Sequence, residues 1–309
     1  MGETATVRID GRVLRLTNLD KVLFPEHGFT KAEVIDYYTR IAPVLLPHLA
    51  GRPVTLRRYP DGVDGPCFHE RNVPRHAPDW VHVIRAATPG SVRGEEYADS
   101  VLVLDLPTLV WMANLTALEL HIPHRALDLH SRWHSPDLLV FDLTPGTPAT
   151  VVECCRVTLL VRTELEHDGM TVYAKTDGAT GIQLHAPVGA TTPGQTARYA
   201  KDVAQRLATR HPGLVVSTTA KTTRRGKVLI DWTPNHPDRT TIAPYSLRAR
   251  PRPTVSTPVT WTEVQTCRRA GDLVFLAGDV LTRATHSEDL HTGMHERAIA
   301  LPTQPTNNP

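Results

Sequence analysis

Cysteine is scarce in this chain, and its four copies in 309 residues form no pattern that builds a framework. Cys154 and Cys155 are adjacent, and no C-x-x-C spacing occurs, which excludes a disulfide scaffold and a cysteine-based metal pair. Aromatic residues make up only 6% of the sequence. No apolar run is long enough to span a bilayer, and no signal peptide or lipidation motif is found, so the expected location is cytoplasmic, with no membrane partner. Charge of one sign is also missing, since the formal net charge is +2. No internal repeat is present.

What is there fits a globular α/β protein. Hydrophobic residues at 40% and charged residues at 21% are ordinary values for such a chain. The length allows two modest domains or one large one with a solid core. Prolines number 26, so rigid turns should be frequent. Positive charge is local: Lys221, Arg224, Arg225 and Lys227 lie in one stretch, and Arg248, Arg250 and Arg252 in another. Such patches suit a phosphate backbone or plain solvated surface.

Periodicity places the elements. A hairpin is expected where residues 7–9 and 13–16 flank Asp10-Gly11. Thr30, with Glu33 three residues on, reads as a capping box for a helix over 31–46, whose Val34, Ile35, Tyr38, Ile41 and Leu45 recur at helical spacing. Strands are expected at 54–58, 101–104 and 119–121, a loop at 60–79 and a helix at 107–118. The second half alternates: strand 138–142, helix 151–166, strands 172–175 and 182–186, helix 195–211, strand 227–231. From about residue 284 the pattern fades, predicting a domain over 1–283 and a disordered tail over 284–309.

Asp142 and Asp231 each close an apolar strand in this scheme. Either alone is explained equally well as a turn cap. Together they offer hard oxygen ligands for Mg²⁺ or Mn²⁺. Thr144 stands two residues on, on the same strand face as Asp142. Two ions about 4 Å apart normally need a bridging carboxylate as well, and Thr144 supplies only a hydroxyl.

The stretch Lys175-Thr176-Asp177-Gly178 admits several readings. Lys-x-Asp-Gly is the nucleophile motif of covalent nucleotidyl transferases, in which the lysine attacks an α-phosphate. A hairpin tip offering backbone N–H groups to a triphosphate is another, and a plain turn is a third. His121, His124, His130 and His134 cluster in sequence but lack cysteine partners, and Pro123 interrupts them, so no structural zinc is expected. His121 ends a strand expected to neighbour Asp142.

The motifs Asn18-Leu19-Asp20-Lys21, Phe29-Thr30-Lys31, Gly51-Arg52-Pro53-Val54-Thr55, Ala77-Pro78-Asp79-Trp80, Leu109-Val110-Trp111 and Ala117-Leu118-Glu119-Leu120-His121 follow in order. After them come the Asp142 strand, Val228-Leu229-Ile230-Asp231-Trp232 and the stretch from Ala243 to Pro251. In one register over residues 5–283, these resemble the polymerase domain of bacterial ligase D, an archaeo-eukaryotic-type primase-polymerase of non-homologous end joining. The resemblance implies an α/β (α+β) fold with two mixed β-sheets around a central cleft flanked by helices. It implies template-directed addition of nucleotides, preferably ribonucleotides, at DNA ends with Mn²⁺ or Mg²⁺. A Ku-like end binder and a separately encoded DNA ligase are the implied partners.

Carried over by position, Lys21 and Lys31 match lysines that grip a 5′-phosphate. Phe68 matches one of two aromatics that stack near the template base, and Cys67 stands where the second is usual. Asp142 and Asp231 match the first and third catalytic carboxylates, and Thr144 replaces the second. Arg248 matches a triphosphate arginine, and Lys175, Gln183 and His121 complete the nucleotide site. The family hairpin runs roughly Lys-Thr-Ser-Gly-Ser-Lys-Gly-Leu-His. Here the serine, lysine and histidine that meet the triphosphate are Ala179, Thr180 and Gln183, and Asp177 adds a negative charge. His185 shares Gln183's face but lies about 7 Å along. In this register Lys-x-Asp-Gly falls inside the primase hairpin.

The function implied is recognition of 5′-phosphorylated gapped or broken DNA, with nucleotidyl transfer weak or lost. One alternative is an active metal-dependent polymerase or primase adding nucleotides at DNA ends. Another is an enzyme acting on a different nucleotide-like substrate.

Overall fold

Strict alternation along a few strands decides where the apolar and polar residues of this chain go. The computed structural model describes residues 2–88, 96–128, 130–189, 191–286 and 288–302. Leu139, Phe141 and Leu143 join one core with Ile182, Leu184, Ala186, Val228 and Ile230. Leu118, Leu120 and Ile122 join a second core with Val54 and Leu56. Because successive strand residues point to opposite faces, Asp142, Thr144, Gln183 and Asp231 are turned away from the first core. Glu119 and His121 are turned away from the second in the same way.

The first core lies under a seven-stranded sheet. Its order is Val215–Val216, Val228–Asp231, Leu138–Pro145, Ile182–Gly189, Tyr173–Thr176 and Pro258–Val259, with Ile299–Ala300 beside Ile182–Gly189. Helices Val151–His167 and Pro193–Arg210 supply Val157, Val161, Tyr199 and Val203 to that core. The second core belongs to a six-stranded sheet ordered Thr240–Ile242, Ala117–Pro123, Pro53–Arg58, Tyr97–Leu102 and Val83–Ala87, with Phe68–Glu70 beside Pro53–Arg58. Helices Lys31–Leu49 and Leu106–Asn114 cover it.

Both sheets were expected to be mixed, and only the seven-stranded one is. It contains parallel pairs at Val215–Val228 and Val188–Ile299, whereas the paired strands of the six-stranded sheet all run antiparallel among the described residues.

Local signals work as expected at the helix starts. Thr30 Oγ1 accepts from the Glu33 amide at 3.3 Å, and the Glu33 carboxylate accepts from the Thr30 amide at 2.7 Å. Such a cap contributes about 1 kcal/mol. The helix continues past the expected end to Leu49, despite Pro43 and Pro47. His48 and Leu49 stay buried on that continuation, which offsets the backbone bonds lost at the prolines. The helix expected over 107–118 stops at Asn114, because Thr116 turns the chain with φ 60° and releases Ala117 into a strand. The 60–79 loop contains the short strand Phe68–Glu70. The strand carrying Asp142 runs on to Pro145, so Asp142 sits within it rather than at its end.

The tail is corrected too. Order does not cease at 284: the helix Ala277–His286, a 3₁₀ turn Met294–Arg297 and the strand Ile299–Ala300 follow. Polar contacts hold this segment together with the burial of Met294 against Leu138 and Val140 and the pairing of Ile299 with Val188. The Tyr245 hydroxyl donates to Asp289 Oδ1 at 2.6 Å, and His48 Nε2 lies 2.8 Å from Asp289 Oδ2. Ser287 and residues 303–309 of the predicted tail lie outside the described residues.

The same segment closes a buried histidine seam. His291 packs against His48 and His185, each at 5.9 Å between ring centroids. Burial, with the nearby Arg52 and Lys175 charges, holds His124 down at about 3. Burial and His48 hold His291 at about 3, and burial, Lys175 and His291 push His185 well below its ordinary value. These imidazoles stay neutral in the folded chain but charge in the unfolded one as pH falls below about 6.5, so acid favours unfolding. Urea denaturation at pH 7, 6 and 5 should show stability falling by at least about 1.4 kcal/mol per unit below pH 6.5. A flat profile would contradict the seam's neutrality.

Candidate active site

Register brings four polar residues into one row across the seven-stranded sheet. Lys175 faces Gln183, Gln183 faces Asp142, and Asp142 faces Asp231. Directly opposed residues share a face, so the row lies on the side away from the helices. Gln183 Nε2 donates to Asp142 Oδ2 at 3.0 Å, while Asp142 Oδ1 is buried without a partner. Asp231 Oδ1 accepts from the Thr233 amide at 2.9 Å and its hydroxyl at 2.7 Å. Burial, then the Asp177 charge, then Asp231, push the Asp142 carboxyl up to about 6 against the pull of Gln183 and Lys175. Thr144 lies opposite Leu229, two places along the face of Asp142.

The hairpin tip beside this row is folded around Asp177. Asp177 Oδ1 accepts from the Ala179 amide at 2.6 Å and the Gly181 amide at 3.0 Å. Gly178 has φ +74°, and a Cβ there would meet the Ser256 amide nitrogen at 2.9 Å. Only glycine meets both demands without strain.

Lys175 is fully buried, and its Nζ donates to Ser256 Oγ at 2.6 Å. Burial lowers its ammonium to about 7, opposed by Asp142 and Asp177. A lysine enclosed in this way offers no exposed amine to an α-phosphate, so the covalent-nucleophile reading of Lys-x-Asp-Gly loses its nucleophile. The resemblance had placed Lys175 at the nucleotide site; here it closes the buried end of the row. His185 is likewise fully enclosed and does not stand in for Gln183.

The facing wall of the cleft is organised by a carboxylate that sequence reasoning gave no role. Glu119 is 3% exposed, and its Oε2 lies 2.9 Å from His121 Nε2, 3.1 Å from Arg248 Nη1 and 3.3 Å from Arg57 Nη1. Its Oε1 accepts from the Ala249 amide at 3.1 Å. Burial would raise the Glu119 carboxyl, but His121, Arg248 and Arg57 together hold it at about 2. Burial in turn lowers His121, against the pull of Glu119. The available signal was Glu119-x-His121 on one strand, a spacing that puts both side chains on one face. Between the two walls lies a cleft of about 710 Å³ that reaches Asp142, Asp177, Asp231, Gln183, His121 and Arg248.

The residues expected to meet a 5′-phosphate do come together. The Lys31 amide donates to the Lys21 carbonyl at 2.8 Å. Lys21 Nζ pairs with Asp61 at 3.0 Å and remains partly exposed. Lys31 is more enclosed than expected: its Nζ donates to the Thr17 carbonyl at 2.5 Å, and burial, Lys21 and Arg58 lower it to about 8. Phe68 is 49% exposed and pairs in register with Arg58. Cys67, at the second aromatic's position, is exposed as well.

The profile of the LigD primase-polymerase domain matches residues 30–291. The chain belongs to the LigD primase-polymerase family. It is 38% identical over 260 residues to the multifunctional non-homologous end joining protein LigD of Mycolicibacterium smegmatis, covering 81% of this chain. With the bifunctional LigD of Bacillus subtilis the identity is 31% over 254 residues, covering 82% of this chain. These stretches make up 32% and 39% of the two relatives, so the match spans about a third of their length. Among solved structures, the polymerase domain from Mycobacterium tuberculosis ligase D in complex with DNA superposes with a TM-score of 0.85 at 36% identity. That match covers 92% of this chain and 99% of the other. The implied α/β fold is therefore that of the LigD family. Among the described residues no helix is long and apolar enough to cross a membrane.

Proposed function

We propose that this LigD-family domain binds DNA ends carrying a 5′-phosphate, and that its nucleotidyl transfer is weakened. The observation that carries the reading is an imbalance between two groups of residues. In one, Lys21 and Lys31 are joined through the backbone and Phe68 is exposed. In the other, Asp142 and Asp231 face each other, but the next position on that face is Thr144. Likeness to a ligase D polymerase domain solved with DNA supports the choice of ligand.

Asp142 and Asp231 fit a single hard divalent cation, Mn²⁺ or Mg²⁺. The unpartnered Asp142 Oδ1 leaves an acceptor open to a cation. The carboxyl, raised to about 6 by burial and then by the Asp177 and Asp231 charges, is one that a cation would stabilise in its ionised form. Bound there, the ion would stabilise charge on a transferring phosphoryl group. Among the described residues no three His, Cys, Asp or Glu side chains are gathered for a metal. Nucleoside triphosphates are the co-substrate class of this reading. A Ku-like protein and a separate DNA ligase are its partner proteins, and the cytoplasm is its setting.

Primer extension with Mn²⁺ and ribonucleotides tests the catalytic half: extension should be slow. Robust extension that Asp142→Ala abolishes would overturn it in favour of an active polymerase. For the binding half, fluorescence anisotropy on a gapped duplex should show about tenfold tighter binding with a 5′-phosphate than without. Lys21→Ala should erase that difference. Equal affinity for both duplexes would reduce the interaction to nonspecific electrostatics.

A further inference from the structure

We propose that Asp177 serves as a built-in substitute for a phosphate, filling the anion-binding turn of the hairpin and setting the cleft against triphosphates. The inference rests on the cleft being a nucleotide site. Backbone amides that converge around a left-handed turn form a concave anion receptor. Here Gly178 supplies the left-handed turn, and the alternate amides of Ala179 and Gly181 converge on one point. That point is held by Asp177 Oδ1, at 2.6 and 3.0 Å. The receptor is assembled and already full.

The nearest cationic receptor is also engaged from within. Arg248 lies against the same turn, its Cβ 3.2 Å from where a Gly178 Cβ would be. Its guanidinium is held 3.1 Å from the Glu119 carboxylate, which the Ala249 amide and His121 pin in place. Two anion receptors therefore meet at this end of the cleft, and the chain's own carboxylates satisfy both. The turn has little freedom to withdraw. At Gly181 a Cβ would meet the Leu143 carbonyl oxygen at 2.4 Å, so the hairpin lies tight against the strand that carries Asp142.

A triphosphate entering here has to displace Asp177 from two N–H groups. It would do so beside Asp142 and Asp231, which repel it as well. Nucleoside triphosphates, the co-substrate class of the proposed function, are therefore bound weakly at this end, and a nucleoside or strand terminus without a free triphosphate suits it better. Asp177 is thus a specificity-determining residue.

Isothermal titration of the full chain with ATP, inorganic triphosphate and adenosine in Mg²⁺ tests this. Asp177→Asn removes the charge while keeping an acceptor for the amides. Asp177→Ser shortens the side chain and opens the receptor. Both variants should bind ATP and inorganic triphosphate more tightly than the native chain, Ser by about tenfold or more, with adenosine affinity unchanged. Unimproved triphosphate binding in both variants, or an equal gain for adenosine, would overturn the proposal. Thermal melts establish that each variant is folded, and Asn keeps the test open if Ser melts early. Rapid primer extension by the native chain would overturn weakened transfer while leaving this affinity comparison to stand or fall separately.

Discussion

Thr144→Asp combined with Gln183→His should raise metal-dependent nucleotide addition by about 10²-fold, since one preorganised charge-stabilising group is worth 10²–10³ in rate. Position 144 shares the face of Asp142, two residues along an unbroken strand. A carboxylate there would complete a three-acid cluster with Asp142 and Asp231, the number that two closely spaced ions require. Position 183 faces Asp142 directly and now donates an amide N–H to it. An imidazole at that position could carry positive charge toward a phosphate, which glutamine cannot. The initial rate of primer extension in Mn²⁺ and saturating ribonucleotides is the measurement. A second readout separates metal binding from chemistry. Asp142 is already raised to about 6 by burial and by the Asp177 and Asp231 charges, so a further carboxylate should lower the melting temperature in chelator. Mn²⁺ should restore it, because an ion that binds only the folded state stabilises it. No gain in rate, despite Mn²⁺ rescue of the melt, would mean that residues 144 and 183 are not what limits catalysis.

Removing the carboxylate of Glu119 should destabilise the fold by about 3 kcal/mol, because it leaves buried or half-buried cations without their counter-ion. Glu119→Gln keeps the shape and strips the charge, so it isolates the electrostatic loss. Arg57 and Arg248 are partly exposed and can recover some hydration, which keeps the expected loss at the lower end of the range for broken buried pairs. Arg57→Ala should cost less, since Arg248 and His121 still serve the carboxylate. The pH dependence has a definite sign. A carboxyl held at about 2 when folded, against about 4.3 unfolded, contributes stability above the unfolded value. That contribution is lost as pH falls from there toward 2. Urea denaturation of the two variants checks this, and a loss below about 1 kcal/mol for Glu119→Gln would show that the charge hub is not structural.

Much of the scaffold was legible because its signals are local. The Thr30–Glu33 capping box, the Asp10-Gly11 hairpin and the alternating apolar strands around Asp142 and Asp231 each depend on neighbours within a few residues. Errors came where a distant contact overrode the local pattern. The Lys31–Leu49 helix passes two prolines because its far end is buried in the core. The C-terminal segment is ordered through distant contacts, those of Asp289 with Tyr245 and His48 and of Met294 and Ile299 with the seven-stranded sheet, which no periodicity announces. Lys175 was placed at the nucleotide site by the family resemblance, and His185 was weighed there from its strand face. That face has an open zone at Asp142 and a covered zone under His291, and strand alternation cannot tell them apart.

By itself the sequence determined the strand faces, the pair Asp142 and Asp231, the neutral Thr144 beside them and the family likeness. Period-two alternation and motif order are properties of the chain read in one dimension. Only the tertiary structure decided that Glu119 gathers Arg57, His121 and Arg248, that Lys175 is sealed below the cleft, and that Asp177 occupies the hairpin's own amides. The first depends on strands far apart in sequence lying side by side. The second depends on what covers a face. The third depends on a side chain turning back onto its own backbone, which sequence adjacency permits and only the folded hairpin, pressed against Leu143 and Ser256, enforces.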